Sequence, residues 1–346
     1  MATSGQLMAA EIAEQPEVWR RILAEGNQQF DAAAKTIIDY NPRHVLFVAR
    51  GTSDHAALYA KYLTEIVQQR PAGLVSPSTM TAYGARPDLR GVLMIGISQS
   101  GGSPDLVQSL HVAREQGALT VAVTNQPDSP LARTAAINID LMAGPERAVA
   151  ATKSYTAQLL ALYLLIDRVT GGDGNAAEAL PDLGDTLLKQ NDRVAALAQR
   201  YLFASRLVST ARGYSYPTAR EAALKLMETS YLSAQAFSGA DLLHGPLAMI
   251  EPQVPVLTVI GEGVGGRAMS QVLPRLKEQG ADVFCVGTPE AVAAASVGVE
   301  LPAGAHETLA PLLEIIPFQQ LALHLAIARG GNPDSPRGLR KVTETY

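Results

Sequence analysis

The sequence predicts an α/β fold made of two doubly wound parallel-sheet subdomains related by internal duplication. Three observations carry that expectation. Apolar, β-branched runs such as "LTVAVT", "VPVLTVI" and "DVFCVGT" alternate with helical patterns along most of the chain, the mark of repeated βαβ units. The stretch "ARGTSDHAALYA" from Ala49 returns as "ARGYSYPTAREA" from Ala211, so that Arg50/Arg212, Gly51/Gly213, Ser53/Ser215, Ala57/Ala219 and Ala60/Ala222 recur at one offset. The tetrad "EQGA" occurs at Glu115 and again at Glu278, at nearly the same offset and each time before a strand-like run. Two separate anchors at one spacing mean a repeat of a whole structural unit. The expected organisation is a helical segment over 1–39, a first subdomain over 40–170 and a helical linker over 171–194. A second subdomain over 195–330 and a C-terminal tail over 331–346 follow.

Size and composition bound the function. The 346 residues, 47% hydrophobic and 18% charged, suffice for two compact domains. A formal charge of −5 and a pI near 5.7 weigh against nucleic acid or an anionic membrane surface as partner. No apolar run reaches the roughly 18 residues that span a bilayer. The N-terminus lacks a basic stretch followed by an apolar block, so a secretory signal is not expected and a cytoplasmic location is. The one cysteine, Cys285, lies in the apolar "VFCV" and reads as a buried strand residue rather than a nucleophile. Six histidines show no metal-ligand spacing, and no metal is expected.

The turn "SQSGGS", Ser98 to Ser103, lies between a strand-like run and a helical one and holds three hydroxyls and two glycines. A helix N-terminus presents free N–H groups and partial positive charge, so hydroxyl donors gathered there suit a phosphate-type anion. Gly51-Thr52-Ser53 forms a second such turn in the same subdomain. Ser53, Ser98, Gln99, Ser100 and Ser103, with Gly51 and Thr52, are therefore candidates for a phosphate cradle. The competing reading is that Ser100 or Ser103 simply caps the helix begun by Pro104. In the second copy the same position reads "GEGVGG". This matches GxGxxG, but it falls inside a subdomain rather than after its first strand, so neither a nicotinamide nor a flavin cofactor is expected.

The motifs "GTS", "SQSG", "ATKSY", "EAALKLMETSY", "HGPLAMI" and "PRGLRKVT", in this order, resemble the sugar isomerase (SIS) family. The likeness is to the isomerase half of glucosamine-6-phosphate synthases, to stand-alone deglycases and, more closely, to stand-alone glucosamine-6-phosphate deaminases. It implies a homodimer acting on a sugar phosphate held by the cradle just described. It further implies that Glu228 is the base moving a proton between C1 and C2. His244 would serve ring opening from the neighbouring subunit, Lys341 would close over the sugar at its carbonyl, and Glu221 and Lys225 would support Glu228. Val149, Ala151, Thr152 and Lys153, in an alanine-rich loop, are candidates for sugar contacts. Departures from the synthases occur at Gly102, Ala151, Leu243 and Arg340, where those enzymes carry Glu, Ser, Lys and Ala. No glutaminase half with a nucleophilic N-terminal cysteine is recognised, so glutamine-dependent synthesis by this chain alone is not expected.

Glu221, Lys225 and Glu228 are spaced to share one helix face. On an arbitrary helix such residues are a surface ion pair of a few tenths of a kcal/mol; the apolar residues between them favour a partly buried, tuned group. Amino-sugar 6-phosphate isomerisation with ammonia release is the expected reaction, giving fructose 6-phosphate. Fructosamine-6-phosphate deglycation, simple aldose–ketose isomerisation and a non-catalytic amino-sugar-phosphate sensor are the alternatives.

Overall fold

The computed structural model describes residues 4–341. The chain opens with helices α1 (Gln6–Ala13), α2 (Gln15–Glu25) and α3 (Asn27–Tyr40). Then come β1 (His44–Val48), α4 (Thr52–Ile66), β2 (Ala72–Leu74), α5 (Pro77–Met80), β3 (Val92–Ser98) and α6 (Pro104–Glu115). The first half ends with β4 (Leu119–Thr124), α7 (Pro130–Thr134), β5 (Ile137–Asp140) and α8 (Lys153–Val169). Helices α9 (Leu180–Leu188) and α10 (Asn191–Ala198) lead to β6 (Arg206–Ala211), α11 (Tyr216–Ser230), β7 (Ser233–Ser238), α12 (Gly239–Leu243) and β8 (Pro255–Ile260). The chain closes with α13 (Gly263–Met269), α14 (Val272–Glu278), β9 (Asp282–Gly287), α15 (Pro289–Ala294), β10 (Val297–Glu300) and α16 (Ala310–Ala328).

Two compact units result, each assembled from non-contiguous pieces. Of the described residues, one comprises 17–146, 153–178 and 340–341; the other comprises 4–16, 147–152 and 179–339. The N-terminal helical segment is thus shared out: α1 goes with the second unit and α3 with the first.

In the first unit five parallel strands run in the order β2-β1-β3-β4-β5. Strand β3, "VLMIGIS", is buried at every position, as an apolar run between two parallel neighbours must be. Helices α3 and α4 pack on α8, while α6 packs against α5 and α7. Leu106, Leu110 and Leu131 join Met94 and Ala122 in one apolar cluster.

The second unit repeats this arrangement: β7-β6-β8-β9-β10 is the same order read through the repeat. Here α11 packs on α16, and Leu242, Met269, Leu273 and Leu276 fill a cluster with Val256, Val283 and Cys285. The duplication read in the sequence is therefore a duplication of topology. Cys285 sits on β9 fully buried, and burial pushes its thiol up to about 11, with the Thr258 hydroxyl opposing. Such a thiol is inert at neutral pH.

The copies differ where α6 is replaced by the pair α13 and α14. The glycines of "GVGGRAM" are poor helix formers, and Pro274 cannot donate to the carbonyl four residues back, so the helix breaks around Ser270.

The expectation about apolar length needs correction. Helix α16 is 19 residues long and apolar enough by composition to cross a membrane. It is a core helix instead: Glu314, Gln319 and Gln320 are buried along it, and it packs on α9, α10 and α11. A helix buried on every side has no polar face to interrupt its hydropathy.

Candidate active site

In a sheet ordered 2-1-3-4-5, the order in which strands are added reverses between the parallel β1 and β3, and ligands bind beyond the carboxyl ends of those two strands. Both hydroxyl-rich turns lie there. Gly51-Thr52-Ser53 follows β1 and starts α4; Ser98 ends β3, and Gln99 to Ser103 lead into α6. Gly51 adopts φ 55° and ψ −129°, open to glycine and strained for other residues. Gly101 has φ +61°, and a Cβ there would lie 2.1 Å from Ser129 Oγ, so this turn requires glycine twice over.

The turn is internally braced. The Gly101 N–H donates to Ser98 Oγ at 3.1 Å and the Gly102 N–H to Ser100 Oγ at 3.3 Å. The Gly101 carbonyl accepts from the Leu131 N–H, and the Gln99 carbonyl from the Asn125 N–H. Ser53 is buried, its Oγ accepting from Gln158 Nε2 at 2.9 Å. Arg50 pairs with the buried Asp105 at the start of α6 (2.8 Å), tying one turn to the other. Ser103 occupies the N-cap position of α6 but makes no side-chain cap hydrogen bond. The simple-cap reading therefore fails for Ser103.

In the second copy the corresponding turn is filled by the protein itself. The N–H groups of Val264 and Gly265 donate to the Glu307 carboxylate at 2.9 and 2.7 Å. Ser215, the repeat partner of Ser53, donates its hydroxyl to Glu314 at 2.8 Å, and Thr218 does so at 3.1 Å. The glycines of "GEGVGG" answer to packing. A Cβ on Gly263 would meet Glu307 at 2.2 Å, one on Gly265 the Arg212 carbonyl at 2.7 Å, and one on Gly266 the Gly261 carbonyl at 1.7 Å. A dinucleotide fingerprint keeps those amides for a pyrophosphate; here a carboxylate holds them.

The second unit instead carries a buried charge cluster. On α11 the Lys225 side chain is wholly buried, with Nζ 3.3 Å from Glu221 Oε1 and 2.5 Å from Glu228 Oε2. Glu221 is equally buried, whereas the Glu228 side chain keeps 23% of its surface. Burial alone would push the Lys225 ammonium down, but Glu221 and then Glu228 outweigh it and hold the group well above its usual value. Lys225 is thus a fixed cation clamping one oxygen of Glu228. The surface-pair reading of this helix face is excluded by its burial.

His244 follows α12, exposed, with its backbone N–H donating to the Asp241 carbonyl. Among the described residues, no hydrogen bond links its imidazole to the Glu228 cluster. Val149 and Ala151 are half-buried, and Thr152 and Lys153 are buried. Lys341 pairs with Glu146 at 2.7 Å.

Sequence reading missed the residues that hold these groups. Glu11 accepts from the N–H groups of Arg147 and Ala148, and the Val149 N–H donates to the Asp334 carbonyl at 3.1 Å. Asp334 in turn accepts from the Met8 N–H at 2.8 Å. The Thr152 carbonyl accepts from Gln319 Nε2 at 3.3 Å. Tyr231 receives the Arg337 N–H at its hydroxyl (2.8 Å) and the Arg337 guanidinium over its ring at 4.2 Å. Only Arg50 left a trace in the sequence, as part of the repeated "ARG".

Residues 40–168 and 202–329 each match the SIS domain. The isomerizing glutamine–fructose-6-phosphate aminotransferase of Pyrococcus horikoshii is 34% identical over 343 residues, covering 96% of this chain and 57% of that protein. The chain thus spans little more than half the length of such relatives. A solved structure from Silicibacter pomeroyi, named provisionally as a phosphosugar isomerase, superimposes with a TM-score of 0.86 at 34% identity, covering 94% of this chain and 99% of that one. The C-terminal domain of glucosamine-fructose-6-phosphate aminotransferase from Francisella tularensis gives 0.85 at 29% identity, covering 94% and 96%. With two matched domains spanning most of its length, this chain belongs to the SIS domain family.

Proposed function

We propose that this chain is a phosphosugar isomerase that converts an amino-sugar 6-phosphate, glucosamine 6-phosphate first among them, to fructose 6-phosphate with release of ammonia. The observation that carries this reading is the buried Glu221–Lys225–Glu228 cluster, in which a locked cation holds one oxygen of a partly exposed carboxylate. Such a carboxylate is oriented, charged and able to take a proton, as general base catalysis requires. The sugar-phosphate relatives support the class of substrate, and the braced hydroxyl turns at the switch point of the first sheet suit its phosphate.

The chemistry follows from these groups. Glu228 removes the C2 proton of the open-chain aldehyde, giving an enolamine, and returns it at C1, giving a ketimine at C2. Water adds to the C=N carbon, the nitrogen leaves as ammonia, and the C2 ketone remains. Oxygen at C1 gains charge as the C2 proton departs, and an ammonium or imidazolium donor there lowers the barrier. Lys225, held by two carboxylates, orients Glu228; Lys341 and His244 are the donors proposed for the sugar's oxygens, His244 from a neighbouring subunit of a homodimer.

The test is to incubate the protein with glucosamine 6-phosphate and follow ammonia and fructose 6-phosphate together, alongside Glu228→Gln. Equal release of both products, abolished in the variant while phosphosugar binding stays within about tenfold, is the expected result. Release only from a fructosamine 6-phosphate would replace the reading by a deglycase. Heat stabilisation by glucosamine 6-phosphate without turnover would replace it by a sensor.

A further inference from the structure

Glu146 lies in the loop between β5 and α8 with no side-chain surface exposed. Its Oε1 accepts the Ser154 N–H at 3.0 Å, and its Oε2 accepts from Ser154 Oγ and from Lys341 Nζ, both at 2.7 Å. A carboxylate shut away from water is stable only when its charge is met by donors, and here the first turn of α8 and the Lys341 ammonium are among them. The pairing matters more for the lysine. A lysine side chain samples many rotamers, and holding it in one costs conformational entropy. A buried, multiply bonded acceptor supplies a charge-assisted bond strong enough to offset that cost.

We infer that Glu146 is a positioning residue: it seats the Lys341 ammonium beside the first turn of α8 and presents it as a fixed cationic donor rather than a free amine. The consequence for the reaction rests on the function proposed above; the seating itself does not. Donating to a sugar oxygen asks nothing further of Lys341. Forming a C=N bond to the substrate carbonyl would require it first to lose a proton and leave Glu146.

Two measurements decide this. In the substrate-free protein, the reaction of Lys341 with acetic anhydride is followed by mass spectrometry, with the exposed Lys189 as internal standard. Lys341 should react about tenfold more slowly than Lys189, and Glu146→Gln, which keeps the shape of the side chain, should close that gap. Equal rates in the parent protein, or a gap that survives the substitution, would overturn the seating. The second measurement is a kinetic cycle with Glu146→Gln, Lys341→Met and the double variant. If Glu146 acts through Lys341, its substitution lowers kcat more than it alters KM, and the double variant is no slower than Lys341→Met alone. Losses that multiply would show that Glu146 acts on something else. A protein that turns over no amino-sugar phosphate would remove the proposed function, and the labelling would still decide the seating.

Discussion

Glu314 offers a prediction that does not depend on the substrate. Its carboxyl is wholly buried on α16, and burial pushes it from an ordinary 4.5 up to about 7; hydrogen bonds from Ser215 and Thr218 oppose the rise and the nearby Glu307 adds to it. An acid whose folded value lies above its unfolded one favours folding in its protonated form. The stability it contributes is complete below the unfolded value and is lost as pH rises through the folded one. At about 1.4 kcal/mol per pH unit, the interval between 4.5 and 7 amounts to about 3 kcal/mol of pH-dependent stability. Glu314→Gln replaces the protonated acid by a neutral side chain of the same shape and abolishes that dependence. Urea unfolding of both proteins at about pH 5 and about pH 9 should therefore show the variant gaining about 3 kcal/mol relative to the parent at the higher pH. Parallel pH dependence in the two would refute the claim that this buried carboxyl is protonated in the folded state.

Three further outcomes are expected. Lys225→Met removes the ammonium beside the buried Glu221 and should cost about 3–5 kcal/mol in a denaturation experiment; a loss below 1 kcal/mol would mean the cluster relaxes into water. Gly101→Ala forces a side chain into φ +61° and against Ser129, so a loss of about 2 kcal/mol or more is expected, and an unchanged Tm would contradict the close packing of this turn. If His244 serves the neighbouring subunit, hybrids formed from inactive Glu228→Gln and His244→Ala chains should recover about a quarter of parent activity, since half the dimers would each hold one intact site. No recovery on mixing would place His244 in the site of its own chain.

Much of this molecule was legible before any coordinates, and the reasons are physical. A strand buried on both sides must be a continuous apolar run, so β3 and β9 announce themselves. A duplicated unit keeps the residues its turns demand, so "ARG" and "EQGA" mark the repeat. The spacing of Glu221, Lys225 and Glu228 places them on one helix face, but spacing is silent on depth. Whether that face is a solvated ion pair or a buried, clamped carboxylate depends on what packs around α11.

Tertiary structure alone decided the rest. Two turns descended from one unit look alike on paper, yet Glu307 and Glu314 accept from the second, whereas in the first the Ser98 and Ser100 hydroxyls accept from the turn's own N–H groups. Those carboxylates come from 42 to 99 residues away in the chain, as Gln158 comes to Ser53 from 105. Glu146 meets Lys341 across 195 residues. Local sequence determines which backbone forms and which face is apolar, because those depend on neighbours a few residues off. Which polar group satisfies which buried donor is settled when distant segments pack, since only then does water leave and each unpaired group carry its cost.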